Sequence, residues 1–341
     1  MKVNREVLLK TLQAVKPGLS TKEVVEQSTS FVFKAGQVIT FNDEVAVHAQ
    51  VQEELNIEGA VPAKELIGIL SRFTGDEVAF KLQENELRLT CGKGRAGIRL
   101  EAEITLPVHD IITLPEKWKK LPADFKAGLG ACLASAATDM TYPILTCLYL
   151  TNQHAEASDG NQIARYTWAV DCPGLKKGVL LPASAAKEIT KMNPKGFAIT
   201  DEWAHFQSEA GVVLSCRLGS GDFPELDGHL IVEAVGVLEF PAQVREILDR
   251  AGVFLSGMIE RDNTVKITID GKGLMTIEGE GDSGWYAETC RAKWSGEEVA
   301  FNLHPVYLQK ILDTTNKAQV GEDRILFQTE SFAHVVALEA V

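Results

Sequence analysis

The sequence predicts an α+β protein built from three similar domains, each with two helices packed on antiparallel sheets. Three observations predict it: a length of 341 residues, amphipathic helical stretches that come in pairs, and a recurrence of that pair about every 120 residues. The length allows two or three domains. The recurrence favours three, which we place at residues 1–114, 115–230 and 231–341.

Each predicted domain begins with one helix and has a second near its middle. Apolar residues recur three and four positions apart in most of these stretches, which is the period of an amphipathic helix. Proline stands at or near the start of five, where its missing N–H costs nothing, and Asn4 can cap the sixth. The predicted helices are, first in each domain, Asn4–Lys16, Pro122–Ala137 and Pro241–Ser256, and second, Pro62–Phe73, Pro182–Lys195 and His304–Lys317.

Alternating apolar and polar residues, interrupted by Gly, Asn and Asp, fill the sequence between these helices and predict antiparallel hairpins. The segment GKGRAG at residues 92–97 has the spacing of a dinucleotide-binding loop, but that loop needs a helix after it to receive the phosphates. Here IRLEAEITLP follows, which is a strand pattern. We therefore predict a hairpin turn at residues 92–97.

The composition excludes several classes of protein. With 45% hydrophobic and 24% charged residues and no long apolar run, the chain is typical of a globular protein without membrane spans. The N-terminal MKVNREVLLK lacks the apolar core of a signal peptide, so we expect a cytoplasmic protein. Six scattered cysteines form no CxxC pair and seven histidines form no metal-binding spacing. We expect reduced thiols, no metal, no cofactor and, since no catalytic motif is present, no enzyme activity.

The net charge of −13 alone argues against nucleic-acid binding. However, the six predicted helices contain 13 basic and 7 acidic side chains, which sets a basic helical layer against acidic sheets. Such a layer can contact DNA phosphates without reading the base sequence, although lysines on ordinary solvated helix faces are the alternative. The candidate DNA-facing residues are Arg5, Lys10, Lys64, Arg72, Lys126, Lys187, Lys191, Lys195, Arg245, Arg250, Lys310 and Lys317.

Several segments, in this order, also suggest a family. They are Asn4–Leu12, Thr138–Leu150, Ser158–Ala164 (SDGNQIA), Val179–Pro182, Arg217–Pro224 (RLGSGDFP) and Trp294–Leu312. Together they resemble the bacterial DNA sliding clamp, the beta subunit of DNA polymerase III, over the whole chain. Val24–Phe33 departs from the family pattern, which makes the first domain the most divergent. The chain is also somewhat shorter than typical members, which suits a phage-like or otherwise divergent member.

The resemblance implies a half-ring of three clamp domains that closes as a head-to-tail homodimer around duplex DNA and tethers a polymerase. It also implies a hydrophobic pocket for short linear peptides of polymerases and the clamp loader. By motif, the pocket maps to Leu145, Ser158, Gly160, Asn161, Gln162, Ile163, Pro224, His229, Val335, Val336, Ala337 and Leu338. The nearest equivalents of the dimer interface are Ile98, Leu100, Phe254 and Leu255.

Two departures from the family leave a second interpretation open. The family has His-Arg where this chain has Asn161 and Gln162, and the C-terminal residues also differ. The alternative function is a clamp-fold interaction protein that binds polymerase or clamp-loader peptides without encircling DNA.

Overall fold

The computed structural model describes residues 1–255 and 263–339. Within these ranges the chain forms two compact units, the first made of Met1–Lys126 with Cys172–Gly219 and the second of Ala127–Asp171 with Ser220–Val341. Each unit combines one outer predicted domain with part of the middle one. The division into three domains therefore stays a prediction from the repeat.

The α-helices of the described residues follow the predicted pairs, with one short addition near the end of the first predicted domain. They are α1 (Arg5–Val15), α2 (Ala63–Leu70), α3 (Val108–Ile111), α4 (Phe125–Leu133), α5 (Ala183–Met192), α6 (Val244–Gly252) and α7 (Pro305–Ile311). Short 3-10 helices lie at Lys16–Gly18, Pro143–Thr146, Asp227–Leu230 and Val253–Leu255. The last residue of the third predicted helix, Ser256, lies outside the described residues.

The strands between the helices are short. In chain order they are β1 (Lys2–Asn4), β2 (Ser30–Lys34), β3 (Gln37–Phe41), β4 (Val45–Gln50), β5 (Gly59–Pro62), β6 (Glu77–Gln83), β7 (Glu86–Cys91), β8 (Gly94–Arg99), β9 (Lys119–Lys120), β10 (Cys147–Leu150), β11 (His154–Ser158), β12 (Gln162–Thr167), β13 (Val179–Pro182), β14 (Pro194–Thr200), β15 (Trp203–Ser208), β16 (Val213–Arg217), β17 (Gly236–Glu239), β18 (Val265–Ile269), β19 (Leu274–Gly281), β20 (Gly284–Arg291), β21 (Lys293–Trp294), β22 (Val299–Leu303), β23 (Lys317–Val320), β24 (Arg324–Gln328) and β25 (Phe332–Ala337).

The first unit contains a sheet in the order β5-β2-β3-β4-β16-β15-β14-β9 and a smaller one in the order β1-β6-β7-β8. Pairing of β4 with β16 joins residues of the first predicted domain to the second in one antiparallel sheet. Helix α1 buries Leu8, Leu12 and Val15, and the Thr40 hydroxyl donates to the carbonyl of Val15 (2.5 Å). The amphipathic face read from the sequence is thus the face that covers the sheet.

The second unit repeats this arrangement. Its larger sheet includes the order β10-β11-β12-β25-β24-β23-β17-β21, and its smaller one has the order β20-β19-β18-β22. Pairing of β12 with β25 joins the second predicted domain to the third. A continuous core of side chains from α6, α7 and both sheets, including Phe240, Ile247 and Phe327, holds this unit together. The predicted α+β class, with helices on antiparallel sheets, is confirmed.

The helix starts agree with the capping signals in the sequence. The Asn4 side chain accepts a hydrogen bond from the Val7 N–H (3.0 Å), and the His304 ring accepts one from Val306 (3.3 Å). Pro62 and Pro182 stand directly before α2 and α5, and Pro305 opens α7. These signals are local, so they can be read without the fold.

Three helix ends were predicted too far along the chain, which moves three candidate DNA-facing residues off the helices. Arg72 lies beyond the end of α2, Lys195 lies in β14, and Lys317 opens β23. In the second case Asn193 adopts a left-handed conformation (φ 53°) that ends α5. The predicted hairpin is confirmed, but its turn is only Gly92 and Lys93, because residues 94–97 already belong to β8, which pairs with β7.

Candidate functional site

A cavity of about 310 Å³ opens in the second unit where β12 pairs with β25. One wall is the turn between β11 and β12, another is the end of β25, and a third is the irregular segment that follows β16. Ten of the twelve residues predicted for a peptide pocket line it, namely Leu145, Ser158, Gly160, Asn161, Gln162, Ile163, Pro224, His229, Val335 and Ala337. Leu226, Asp323 and Arg324 complete the lining.

Val336 and Leu338 do not line this cavity. Val336 is 1% exposed and belongs to the core of the second unit, against which Leu338 also packs. Neighbouring residues of a strand point to opposite faces, so Val335 and Ala337 face the cavity while Val336 faces the core. Two of the predicted lining positions are therefore corrected to core positions.

The turn before β12 is held by its own side chains. An Asp159 carboxylate oxygen accepts from the backbone N–H groups of Asn161 (2.9 Å) and Gln162 (3.0 Å), and Gly160 has a positive φ of 94°. The Asn161 position departs from the family, but this turn does not depend on the Asn161 side chain. The backbone that forms the cavity wall is thus fixed locally by Asp159.

Gln162 is buried and every polar atom of its side chain has a partner. Its Nε2 donates to the carbonyl of Ala134 (3.1 Å) and to Asp159 (2.8 Å), and its Oε1 lies 2.9 Å from His334 Nε2. His334 in turn lies 3.4 Å from the hydroxyl of Ser135. The network therefore connects β12, β25 and the end of α4 beneath the cavity.

Two titratable groups next to this network stay uncharged at neutral pH. Burial, with a smaller contribution from the charge of Lys310, lowers the pKa of His334 to about 3. Burial, together with the charge of the neighbouring Asp159 carboxylate, raises the pKa of Tyr307 to about 12, so the phenol donates to Asp159 (3.3 Å). No sequence motif indicated Ser135 or His334, because the two residues lie 199 positions apart in the chain.

In the first unit, the place that corresponds to the cavity of the second unit is filled by apolar side chains of the protein. The register of β4 on β16 repeats that of β12 on β25, with Ala46 opposite Ser215 as Ile163 is opposite Val335. In the first unit, however, a compact apolar cluster covers this place, made of Val32, Ile39, Phe41, Ala46, Ala60, Leu106, Val108, Ile112 and Trp203. Leu106, Val108 and Ile112 come from the segment that leads to the next predicted domain. The second unit leaves the equivalent place open.

The basic side chains of the helices fall into two groups. Helices α1, α2 and α4–α7 carry nine basic and five acidic residues, so the excess is smaller than predicted but has the same sign. Exposed lysines that make no salt bridge with any residue in the described ranges form the first group, which we call the open lysines: Lys10, Lys64, Lys126, Lys187 and Lys310.

The second group has partners within the chain. Arg5 donates to the carbonyls of Gly75 (2.9 Å) and Leu70 (3.2 Å) and so caps the end of α2, and Arg72 donates to Gly68 (2.8 Å). Lys191 pairs with Glu188 (2.7 Å), Arg245 with Asp313 (2.7 Å) and Arg250 with Glu288 (2.7 Å). These contacts reduce the capacity of the second group to bind an external anion.

The residues predicted for a dimer interface are mostly interior. Ile98, Leu100 and Leu255 are 7%, 4% and 3% exposed, and Phe254 is half-buried over Gly281 and Gly284. An interface needs exposed groups, so these three buried positions are corrected to core positions. What the sheets do expose are their end strands, β8 in the first unit and β20 in the second.

Strand β8 and the turn before it are basic, although Arg99 pairs with Glu101 (3.4 Å), whereas the turn before β20 is acidic. Lys93, Arg95 and Arg99 are exposed on β8 and the turn before it. Glu280 and Asp282 are exposed where β19 turns into β20, and Trp285 of β20 is 70% exposed, although Arg291 ends that strand. An end strand with free backbone groups is a template for pairing with another chain.

Within residues 1–255 and 263–339, no group of three or more His, Cys, Asp or Glu side chains is placed to hold a metal ion. All six cysteines are buried free thiols, as the sequence predicted. Among the helices in these same ranges, none is long and apolar enough to cross a membrane.

The repeated helix-and-sheet units, together with the cavity beside β12 and β25, define a clamp-fold protein. The solved structures that it resembles over its full length are DNA polymerase III beta subunits and sliding clamps. That of Pseudomonas aeruginosa has a TM-score of 0.83 at 18% identity, with 100% of both chains covered. That of Streptococcus pyogenes has 0.84 at 18%, and that of Thermotoga maritima 0.83 at 16%, each covering 100% of this chain and 99% of the other.

A further structure in this group is a Pseudomonas aeruginosa sliding clamp bound to griselimycin, with a TM-score of 0.83 at 17% identity and coverage of 100% and 99%. No protein-family model matches the sequence, and no curated protein matches it. At identities of 15–18% the likeness establishes the fold. The resemblance read from the sequence is thus confirmed at the level of the fold.

Proposed function

We propose that this protein is a non-enzymatic DNA sliding clamp, which encircles duplex DNA as a head-to-tail homodimer and tethers a replicative polymerase. The observation that carries the proposal is the match to clamp structures, which covers 100% of this chain and 99–100% of theirs. A tether of this kind needs only weak phosphate contacts, because topology keeps the protein on DNA. The open lysines provide such contacts without sequence specificity.

Ring closure follows from the two end strands. In a head-to-tail dimer, β8 of one protomer pairs with β20 of the other, so that both strands gain backbone hydrogen bonds. The basic β8 and the acidic turn before β20 then attract each other, while like strands repel, which favours the head-to-tail contact over a head-to-head one.

The cavity beside β12 and β25 is the proposed docking site for short peptides of the polymerase and the clamp loader. Its apolar lining, including Leu145, Ile163 and Val335, is suited to aliphatic or aromatic anchor side chains of a peptide. Asp323 and Arg324 form a salt bridge (2.7 Å) at its rim and offer polar groups to the peptide backbone. Because the cavity is formed within one chain, peptide binding does not require a closed ring.

The test of encirclement uses DNA topology. The protein is loaded by a clamp loader onto a nicked circular plasmid, separated from free protein by gel filtration, and the plasmid is then cut once. Release on linearisation, with retention on the uncut circle, is the expected result. Retention on the linear DNA contradicts topological binding and shows direct adhesion instead.

The alternative is a clamp-fold interaction protein that binds these peptides without encircling DNA. Two observations favour it: four of the predicted DNA-facing arginines are engaged within the chain, and the Asn161–Gln162 pair departs from the family. Analytical ultracentrifugation separates the two functions. A dimer at micromolar concentration supports the ring, whereas a persistent monomer that still binds peptide supports the alternative.

A further inference from the structure

The segment between β16 and β17 supplies a whole wall of the cavity although it forms no strand. It contributes Pro224, Leu226 and His229, and its only regular structure is the 3-10 helix Asp227–Leu230. Such a segment keeps its shape through a few side-chain anchors and is otherwise free to open. The position of this wall therefore depends on what attaches it to the sheet.

Arg165 provides one such attachment, and its geometry is distinctive. It lies in β12 opposite Glu156 of β11, and its Nε and Nη2 atoms both donate to one carboxylate oxygen of Glu156, Oε2, at 2.7 and 2.6 Å. The Glu156 side chain is only 5% exposed. A buried carboxylate that accepts two bonds from one guanidinium fixes both the position and the orientation of that group.

The remaining nitrogen of the same guanidinium, Nη1, contacts the segment that forms the wall of the cavity. Arg165 Nη1 lies 2.6 Å from Asp227 Oδ1, and Asp227 is the first residue of the 3-10 helix. Asp227 is 71% exposed, so its carboxylate sits at the surface while the arginine beneath it is 17% exposed. The bond from Arg165 lowers the pKa of Asp227, so the pair stays charged at neutral pH.

We propose that Arg165 is a positioning residue, which holds the segment from Pro224 to Leu230 against β12 through Asp227 and thereby sets the width of the cavity. This inference rests on the proposed peptide-docking role of that cavity. Arg165 itself does not line the cavity, so it acts on a bound peptide through Pro224, Leu226 and His229. Two other contacts support the same wall: the Phe223 ring stacks on Tyr149 (5.3 Å), and Arg324 donates to the carbonyl of His229 (3.4 Å).

The test removes the ion pair between Arg165 and Asp227 without leaving a buried charge unpaired. Arg165→Ala would strip Glu156 of its partner and could unfold the unit, whereas Asp227→Ala leaves the Arg165–Glu156 pair intact. Asp222→Ala is the matched control, since Asp222 is an exposed aspartate of the same segment that forms no salt bridge with a described residue. Asp227→Glu keeps the charge and serves as the conservative rescue.

The first readout is hydrogen–deuterium exchange of backbone amides at residues 225–231. Because a surface ion pair changes an opening equilibrium only modestly, we expect Asp227→Ala to speed exchange by about threefold there and nowhere else. Asp222→Ala should leave it unchanged and Asp227→Glu should restore most protection. Equal exchange in Asp227→Ala and Asp222→Ala would overturn the proposal.

The second readout uses griselimycin, which a Pseudomonas aeruginosa clamp binds, once loss of its binding to Ile163→Arg has shown that it occupies this cavity. If Arg165 positions the wall, griselimycin should dissociate about threefold faster from Asp227→Ala than from the wild type, in step with the exchange. A faster dissociation without faster exchange would overturn the positioning role. If the wild type does not bind griselimycin, the exchange experiment alone decides the role of Arg165.

Discussion

The open lysines should account for the salt dependence of DNA binding, and three of them allow a direct test. Lys64, Lys126 and Lys187 lie on α2, α4 and α5, are exposed, and make no salt bridge with any described residue. We consider the triple replacement of these lysines with alanine. Each replacement removes one positive charge and few contacts with the rest of the protein, because these lysine side chains are exposed.

The expected magnitude follows from counterion release. Each lysine that contacts a phosphate contributes about 0.9 to the slope of log K against log salt concentration, so three contacts contribute about 2.7 per protomer. Between 50 and 200 mM salt, the wild type should therefore lose about 40-fold more affinity than the triple variant. Arginines already paired within the chain, such as Arg250 with Glu288, should contribute less.

The assay is fluorescence anisotropy of a labelled duplex titrated with protein at four salt concentrations. The matched control replaces three exposed lysines of strands and turns, Lys34, Lys81 and Lys272, which changes the net charge by the same amount. If the control lowers the slope as much as the helix variant does, the effect is one of overall charge. The assignment of DNA to the helix face would then be refuted.

Three further predictions concern stability, the cavity and the ring. His205 and His334 are buried, and their pKa values are lowered to about 4 and 3. Between pH 6.5 and pH 5 these histidines therefore bind protons only in the unfolded chain. At pH 5 each of them should lower the unfolding free energy by about 2 kcal/mol, which a urea titration measures. Ile163→Arg should weaken binding of a short polymerase-derived peptide at the cavity at least tenfold while the salt slope of DNA binding stays the same. Arg95→Glu combined with Arg99→Glu should shift the dimer toward monomer in sedimentation velocity, increasingly so at low salt.

Each of these has its own control. Replacing His334 with Asn should remove its share of the acid sensitivity, and an unchanged pH profile in that variant would show that another group titrates. Val336→Arg, in contrast to Ile163→Arg, should unfold the second unit because Val336 is in its core. Reversing Arg88, an exposed residue of β7, should leave the dimer intact, and dissociation in that variant would point to general charge repulsion.

The sequence predicted those parts of the structure that depend on neighbouring residues. Helix starts at Asn4 and His304 carry their own caps, and the turn at Gly92 and Lys93 carries a glycine between alternating strands. In α1 the apolar residues at helical spacing, Leu8, Leu12 and Val15, are the buried ones. The bounds of the helices were less accurate: α3 was not predicted, α4 and α6 begin three residues later than predicted, and Lys195 and Lys317 belong to the strands that follow.

The cavity was predicted less completely, and the errors have a common origin. Ten lining positions were mapped by motif. Val336 and Leu338 were wrongly added, because all residues at the end of the C-terminal strand were assigned to the cavity without regard to the face on which they lie. Ile98, Leu100 and Leu255 were assigned to an interface although they face the core. In each case the missing information is the side of the sheet on which a residue lies, which depends on register.

By itself the sequence determined the repeat, the helix faces, the turns and the excess of positive charge on the helices, because these follow from residue types at short spacing. The tertiary structure alone decided which of those charges are already paired, which strand residues face a cavity, and how Arg165 comes to join Glu156 to Asp227. Such contacts connect residues up to 199 positions apart, as Ser135 and His334 are, and only the folded chain brings them within bonding distance.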